Sequence, residues 1–264
     1  REGVEVRILC DGMGGRFMPK KRWDQMRSAG IKVGVFFPPF LGWLNLRVNY
    51  RNHRKIVVVD GNTGFVGGFN IGREYISRDP KFGYWRDTHL EIKGEAAISL
   101  QIRFALDWNY VTGENLFKEI RYFGEEAEYA RRRLNGQIHA VWPDPDHVNE
   151  MVCMQIITSG PDTREPHIRN NYLELFHKAK HHIYIQTPYF IPDDAIFSSL
   201  KIAALSGVDV RLMIPCKPDH PFVYWATCSY AGELLDYGAR VYVYENGFLH
   251  SKGIMIDGTV SCYG

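Results

Sequence analysis

The chain has 264 residues, with 32 Lys+Arg against 30 Asp+Glu, 45% hydrophobic and 23% charged residues. That balance excludes wholesale disorder, a collagen-like repeat and a coiled coil. It also argues against a polycationic nucleic-acid binder, leaving room only for a local basic groove.

The five cysteines, Cys10, Cys153, Cys216, Cys228 and Cys262, are scattered and form no C-x-x-C pair. This speaks against a disulfide framework or a Cys-rich zinc site and for a reducing compartment. The longest apolar stretch, 36–46, is interrupted by two prolines and a glycine, and it falls short of the ~18 apolar residues needed to span a bilayer. The chain opens on Arg1 without a signal-peptide pattern and is expected to be a piece of something longer.

In chain order, Gly3–Leu9 alternates charged and β-branched residues and reads as a strand, and Gly30–Phe36 as another. A third strand follows at His53–Gly61, and Glu95–Tyr110 reads as a helix. The stretch 113–150 is charge-rich, with Arg131-Arg132-Arg133 as a solvated face, and reads as a connector. Asn171–Lys180 has helical apolar spacing, and Ile183–Gln186 is a strand ended by Thr187-Pro188. Asp193-Asp194 caps a helix running to Leu205, which Gly207 stops. The adjacent His181 and His182 read as surface residues at a strand entrance.

Three segments recur in the same order. Gly3–Leu9 resembles Gly207–Met213, Gly30–Phe36 resembles Gly238–Tyr244, and His53–Gly61 resembles His250–Gly258. The chain therefore reads as two copies of one α/β unit. The expected division is a first half at 1–112, lacking its opening helices and strand, a connector at 113–150, and a second half at 151–264.

Each copy carries H-x-K-x4-D: His53, Lys55 and Asp60, then His250, Lys252 and Asp257. On a strand, residues i and i+2 share a face, so each histidine lies beside its lysine. That pair suits a phosphate: the imidazole attacks phosphorus or transfers a proton, and the ammonium stabilises the nonbridging oxygens. Val57 and Val59 are expected to continue this face into the core. Gly67 and Gly68 permit close backbone approach to a ligand, and Asn70 offers an amide to a phosphate oxygen or an imidazole. No H-E-x-x-H or tight Cys/His spacing is present, so no metal site and no cofactor are expected.

These residues resemble the phospholipase D superfamily, whose signature is H-x-K-x4-D-x6-G-[GS]-x-N; His53 through Asn70 matches it throughout. Asn70–Tyr75, Trp85-Arg86-Asp87-Thr88-His89, Thr158–Asp162, Gln186–Pro192 and Gly247–Lys252 narrow the resemblance to bacterial cardiolipin synthases. The resemblance implies two pseudo-symmetric phospholipase D-like halves, each a mixed β-sheet flanked by helices, sharing one active site. It implies that one histidine forms a phosphohistidine while the other protonates the leaving alcohol; the near-symmetric motifs leave open which does which. It implies phosphatidylglycerol as substrate, cardiolipin and glycerol as products, and no metal or cofactor. It further implies that Asp87 orients His250, with Glu74 a second supporting acid.

The second copy reaches Gly264 before its second glycine or serine and its asparagine, and its half holds no acid that the resemblance would assign to His53. The chain is expected to be truncated at both ends and nearly inactive alone in a phosphatidylglycerol condensation assay; robust turnover would overturn that.

The first copy also holds an aromatic insertion before the motif, including Phe40 and Trp43. It either dips into a membrane interface or packs as core. The expected partners are phosphatidylglycerol and a membrane surface, with no nucleic acid and no obligate protein partner. The expected location is the cytoplasmic side of a bacterial cell membrane. The competing readings are a hydrolytic phospholipase D, a superfamily nuclease and a catalytically dead binding protein. Balanced charge disfavours the nuclease, and intact His-Lys pairs in both copies disfavour the dead protein.

Overall fold

The computed structural model describes residues 3–37, 51–124, 152–160, 163–217 and 219–264. Phe40, Trp43 and most of the expected connector lie outside the described residues. Two compact units emerge: 1–65 with 91–156, and 66–90 with 157–264. They do not coincide with the halves of the repeat, because 66–90 leaves the first half to join the second motif.

In the first unit, β1 (Arg7–Asp11) and β2 (Lys32–Phe36) pair in parallel, with helix α1 (Lys20–Ser28) as the crossover. A second sheet has the order β3 (Ile56–Val59), β4 (Thr63–Gly67), β6 (His89–Lys93). Helix α2 (Glu95–Thr112) buries Ala97, Leu100, Ala105 and Trp108, the last two clustering with Leu116 and Phe123. Arg7 supports this corner. Its guanidinium bonds Glu114 at 2.8 Å and lies over the Tyr122 ring at 4.7 Å. The bonds from Arg7 and Lys32 hold the Glu114 carboxyl at about 2.

The second unit is built on a five-stranded mixed sheet. Its order is β12 (Val260–Tyr263), β11 (Gly253–Ile256), β7 (His182–Gln186), β8 (Asp209–Pro215), β9 (Arg240–Tyr244). β7, β8 and β9 run parallel, while β11 is antiparallel to both β7 and β12. Helix α4 (Asp194–Leu205) crosses from β7 to β8 and α5 (Pro221–Leu235) from β8 to β9; α3 (His167–Lys178) precedes β7. The Asp193 side chain accepts from the Ile196 N–H at 2.9 Å, capping α4 where the sequence indicated. Val210, Leu212 and Ile214 alternate inward along β8 and meet Ile183, Leu200 and Leu234, all buried.

The expected mixed α/β class is therefore observed, and the repeat is visible in the backbone. Each unit contains a parallel strand pair joined through a helix: β1-α1-β2 in one, β8-α5-β9 in the other. Each H-x-K-x4-D motif ends in the same left-handed turn, with φ 51° at Asp60 and at Asp257, followed by Gly61 at 74° and Gly258 at 69°. Asp-Gly favours such a turn because both central residues need positive φ.

One expectation fails. Val57 and Val59 are 56% and 47% exposed, while Ile56 and Val58 turn inward. The strand starts only at Ile56; Val57 and Val59 keep the parity of His53, which is itself exposed, so they do continue its face, but that face points outward.

Candidate active site

The second motif is placed by a short parallel pairing. In β5 (Trp85–Arg86) and β10 (Phe248–Leu249), Phe248 is opposite Trp85 and Leu249 opposite Arg86. The His250 and Ser251 N–H groups both donate to the Arg86 carbonyl, at 2.8 and 3.1 Å. Because the strands run in the same direction, Asp87 and His250 leave the ladder side by side. Gly247 makes the approach possible: a Cβ there would sit 2.0 Å from the Tyr84 carbonyl oxygen.

His250 Nδ1 and Asp87 Oδ2 are 2.7 Å apart, and both residues are buried. The other Asp87 oxygen accepts the Thr88 N–H at 2.8 Å. Burial pushes the Asp87 carboxyl up. The bond and charge of His250, the Thr88 amide and the Lys252 charge outweigh burial and hold it below the ordinary carboxylate range. An ionised carboxylate at Nδ1 takes a donated proton there and leaves the Nε2 lone pair for chemistry. Lys252 Nζ lies 3.1 Å from Nε2 and donates to the His250 carbonyl at 2.6 Å. It is equally 3.1 Å from Nδ1, so a cation stands against the imidazole.

The imidazole is enclosed by rings that the sequence reading missed: Trp85 at 5.0 Å, Tyr75 edge-on at 5.6 Å and Phe248 at 6.2 Å. The buried Ser251 hydroxyl lies 2.5 Å from that of Thr88, tying the motif to the acid-bearing segment a second time. Trp85 and Thr88 lie in the W-R-D-x-H string, Tyr75 in the Asn70–Tyr75 segment and Phe248 in Gly247–Lys252, which carried the resemblance without giving these side chains a role.

In the first motif, Lys55 Nζ is 2.9 Å from Nδ1 of the exposed His53. The His-Lys proximity expected from i,i+2 spacing is present in both motifs, although both pairs precede their strands rather than lying in them.

The Asp257 carboxylate accepts the backbone N–H groups of Lys180, His181 and His182 at 2.9, 2.8 and 2.8 Å, clamping the β11–β12 turn to the start of β7. Those bonds hold its carboxyl at about 2. The structure thus gives Asp257 an architectural task, and Asp60 repeats its turn.

Gly67 and Gly68 are packed against the acid-bearing segment. A Cβ on Gly67 would lie 2.4 Å from the Thr88 carbonyl oxygen, and one on Gly68 2.0 Å from Asp87 Oδ1. Asn70 Nδ2 donates to the Tyr75 hydroxyl at 2.6 Å, so it steadies a ring that touches His250. The Glu74 carboxylate folds over Gly72 in its own loop. Among the described residues, no group of three or more His, Cys, Asp or Glu side chains is placed to hold a metal ion.

A duplicated α/β scaffold carrying two His-Lys pairs, one imidazole backed by a buried acid, defines a phospholipase D-like domain. The family described as "Cardiolipin synthase, PLD-like domain" matches residues 1–94 and 172–264. The major cardiolipin synthase of Bacillus subtilis (strain 168) is 48% identical over 269 residues, covering all of this chain and 51% of its own length. Cardiolipin synthase 2 of Staphylococcus epidermidis (strain ATCC 12228) is 51% identical over 264 residues, again covering all of this chain and 50% of its own length. The chain belongs to this family of phospholipase D-like cardiolipin synthase domains. It spans about half the length of the curated relatives it matches. A solved phosphatidylserine synthase from Haemophilus influenzae Rd KW20 shares the fold, with a TM-score of 0.51 at 14% identity, covering 97% of this chain and 71% of its own.

Proposed function

We propose that this chain carries phosphatidyl-transfer chemistry, condensing two phosphatidylglycerol molecules into cardiolipin and glycerol. The observation that supports this most is the buried Asp87–His250 pair with Lys252 beside the imidazole.

In this reading, one histidine attacks the phosphorus of the first phosphatidylglycerol. A P–N bond forms, the P–O bond to glycerol breaks, and the other histidine gives its proton to the departing glycerol oxygen. That second histidine then removes the proton from a hydroxyl of the next phosphatidylglycerol, whose oxygen displaces the phosphohistidine. His53 and His250 take these two roles, with Lys55 and Lys252 stabilising charge on the phosphoryl oxygens. The buried acid makes His250 the better-supported nucleophile, since it fixes the tautomer that frees Nε2. The proposed lipid substrate implies work at a bacterial membrane surface, and the cytoplasmic side is the proposed one. Among the described residues no helix is long and apolar enough to cross a membrane.

Incubating the protein in its full natural length with phosphatidylglycerol vesicles tests the reading. Cardiolipin and glycerol in equal amounts are expected. Phosphatidic acid with glycerol would replace transfer by hydrolysis, and an unchanged lipid would overturn the reading.

A further inference from the structure

His53 stands in a stretch without sheet or helix bonds, 51–55, yet its neighbours on both sides are anchored. On one side, Asp11 at the end of β1 accepts from Arg51 Nε at 2.8 Å and from the Asn52 backbone N–H at 3.0 Å. The same carboxylate accepts the Gly14 N–H at 2.7 Å, so it is itself fixed. On the other side, Asp107 in α2 accepts from Arg54 Nη1 at 3.1 Å and from Asn52 Nδ2 at 3.3 Å. Asp107 is 4% exposed and is also bonded by Arg103 one helical turn earlier. Between the anchors, the Asn52 side-chain oxygen accepts the Arg54 N–H at 3.1 Å. His53 is therefore the central residue of an Asx turn, a local bond that replaces the missing ladder.

We infer that Asp107 is a positioning residue for His53, acting through Arg54 and Asn52, with Asp11 holding the preceding residue. A catalytic imidazole in an irregular segment has no sheet register to aim it, and a displacement near 1 Å reduces turnover by roughly 100-fold. His250 is aimed by an acid on its own ring and by the β5–β10 ladder. Asp11 acts instead on the Arg51 side chain and the Asn52 backbone amide, and Asp107 on the side chains of Asn52 and Arg54, the two residues that flank His53. A buried carboxylate facing two guanidinium groups and an amide holds one arrangement firmly, because each partner left unpaired is penalised by desolvation. The inference rests on the proposed transfer reaction for its kinetic consequence, but not for its structural one.

The test uses the full natural-length protein with Asp107→Asn, Arg54→Gln and the double variant. The expected kcat for cardiolipin formation falls about 10- to 100-fold with KM within about twofold, since substrate contacts are untouched. The double variant is expected to lose no more than the worse single one, because both break one link. A second readout is the rate of diethyl pyrocarbonate labelling at each histidine, resolved by peptide. His53 labelling is expected to rise in Asp107→Asn while His250 labelling stays as in the wild type. Should that variant fail to fold, Arg54→Lys keeps the charge and removes the Nη1 donor that spans both Asp107 oxygens, and the same labelling contrast is expected. Equal labelling changes at both histidines, no change at His53, or fully additive kinetic losses would overturn the inference. A wild type that makes no cardiolipin would defeat the functional reading alone, leaving the labelling contrast to decide the positioning.

Discussion

Gly68 sits directly against the carboxylate of Asp87: a Cβ at residue 68 would fall 2.0 Å from Oδ1 and 2.5 Å from Oδ2. The carboxylate has nowhere to retreat. One oxygen is held by the Thr88 amide at 2.8 Å and the other by His250 at 2.7 Å, while the Gly68 N–H is itself fixed to the Thr88 carbonyl at 3.0 Å. The glycine is thereby part of the acid's seat.

Gly68→Ala is accordingly expected to displace the Asp87 carboxylate from His250. The overpacking is expected to destabilise the fold by about 1–3 kcal/mol. The kcat loss should resemble that of an Asp87 substitution, although residue 68 carries no reactive group. Thermal unfolding and cardiolipin-forming kinetics of the variant check both parts; wild-type kcat would mean that the backbone relaxes without moving the acid.

Asp87→Asn keeps the shape of the side chain and removes its charge. The wild-type carboxyl is held below the ordinary range by His250, Thr88 and Lys252 against the opposing effect of burial, so it is ionised at neutral pH. An amide at this position offers the imidazole a weaker acceptor and also allows the wrong tautomer. The expected loss in kcat is ~10²–10⁴-fold, by analogy with acid-to-amide changes behind a catalytic histidine. KM should change little, and near-ultraviolet circular dichroism should match the wild type. A kcat within about threefold of wild type would remove Asp87 from the mechanism.

How far such roles can be read from sequence depends on whether their signal is local. The Asp193 cap and the α4 helix it starts rest on neighbouring residues, and the structure shows both. The Asp87–His250 bond spans 163 residues and depends on a pairing of two-residue strands. No periodicity marks so short a ladder, so only the resemblance pointed to it. The signature allows glycine or serine at residue 68, and pattern alone could not show that the Asp87 carboxylate fills the space a side chain needs. The outward turn of Val57 and Val59 was hidden for a related reason. Period two tells which residues share the His53 face but not which face of the strand meets the core. Asp107 in α2 carries no local signal of its role, because Arg54 and Asn52 converge on it from more than 50 residues away.

Asp257 lends itself to a test of stability rather than activity. Its carboxyl is held at about 2 by the amides of Lys180, His181 and His182, against ~3.9 for an unperturbed aspartate. A carboxyl depressed in the folded state binds protons more readily when unfolded, so its contribution is complete above ~4 and is lost as pH falls towards 2. The substitution Asp257→Asn keeps the positive φ of 51° without undue strain, since asparagine tolerates the left-handed region. It retains one acceptor oxygen, enough for His181 and His182, but loses the acceptor that meets the Lys180 N–H, so charge and one hydrogen bond are removed together and the pH dependence of the gap separates them. The variant is expected to melt below the wild type at pH 7, with the gap in Tm narrowing as pH is lowered from 5 to 3. Thermal unfolding of both proteins across that range is the measurement. A gap that stays constant with pH would show that hydrogen-bond count, and not the ionised carboxylate, holds the β11–β12 turn to β7.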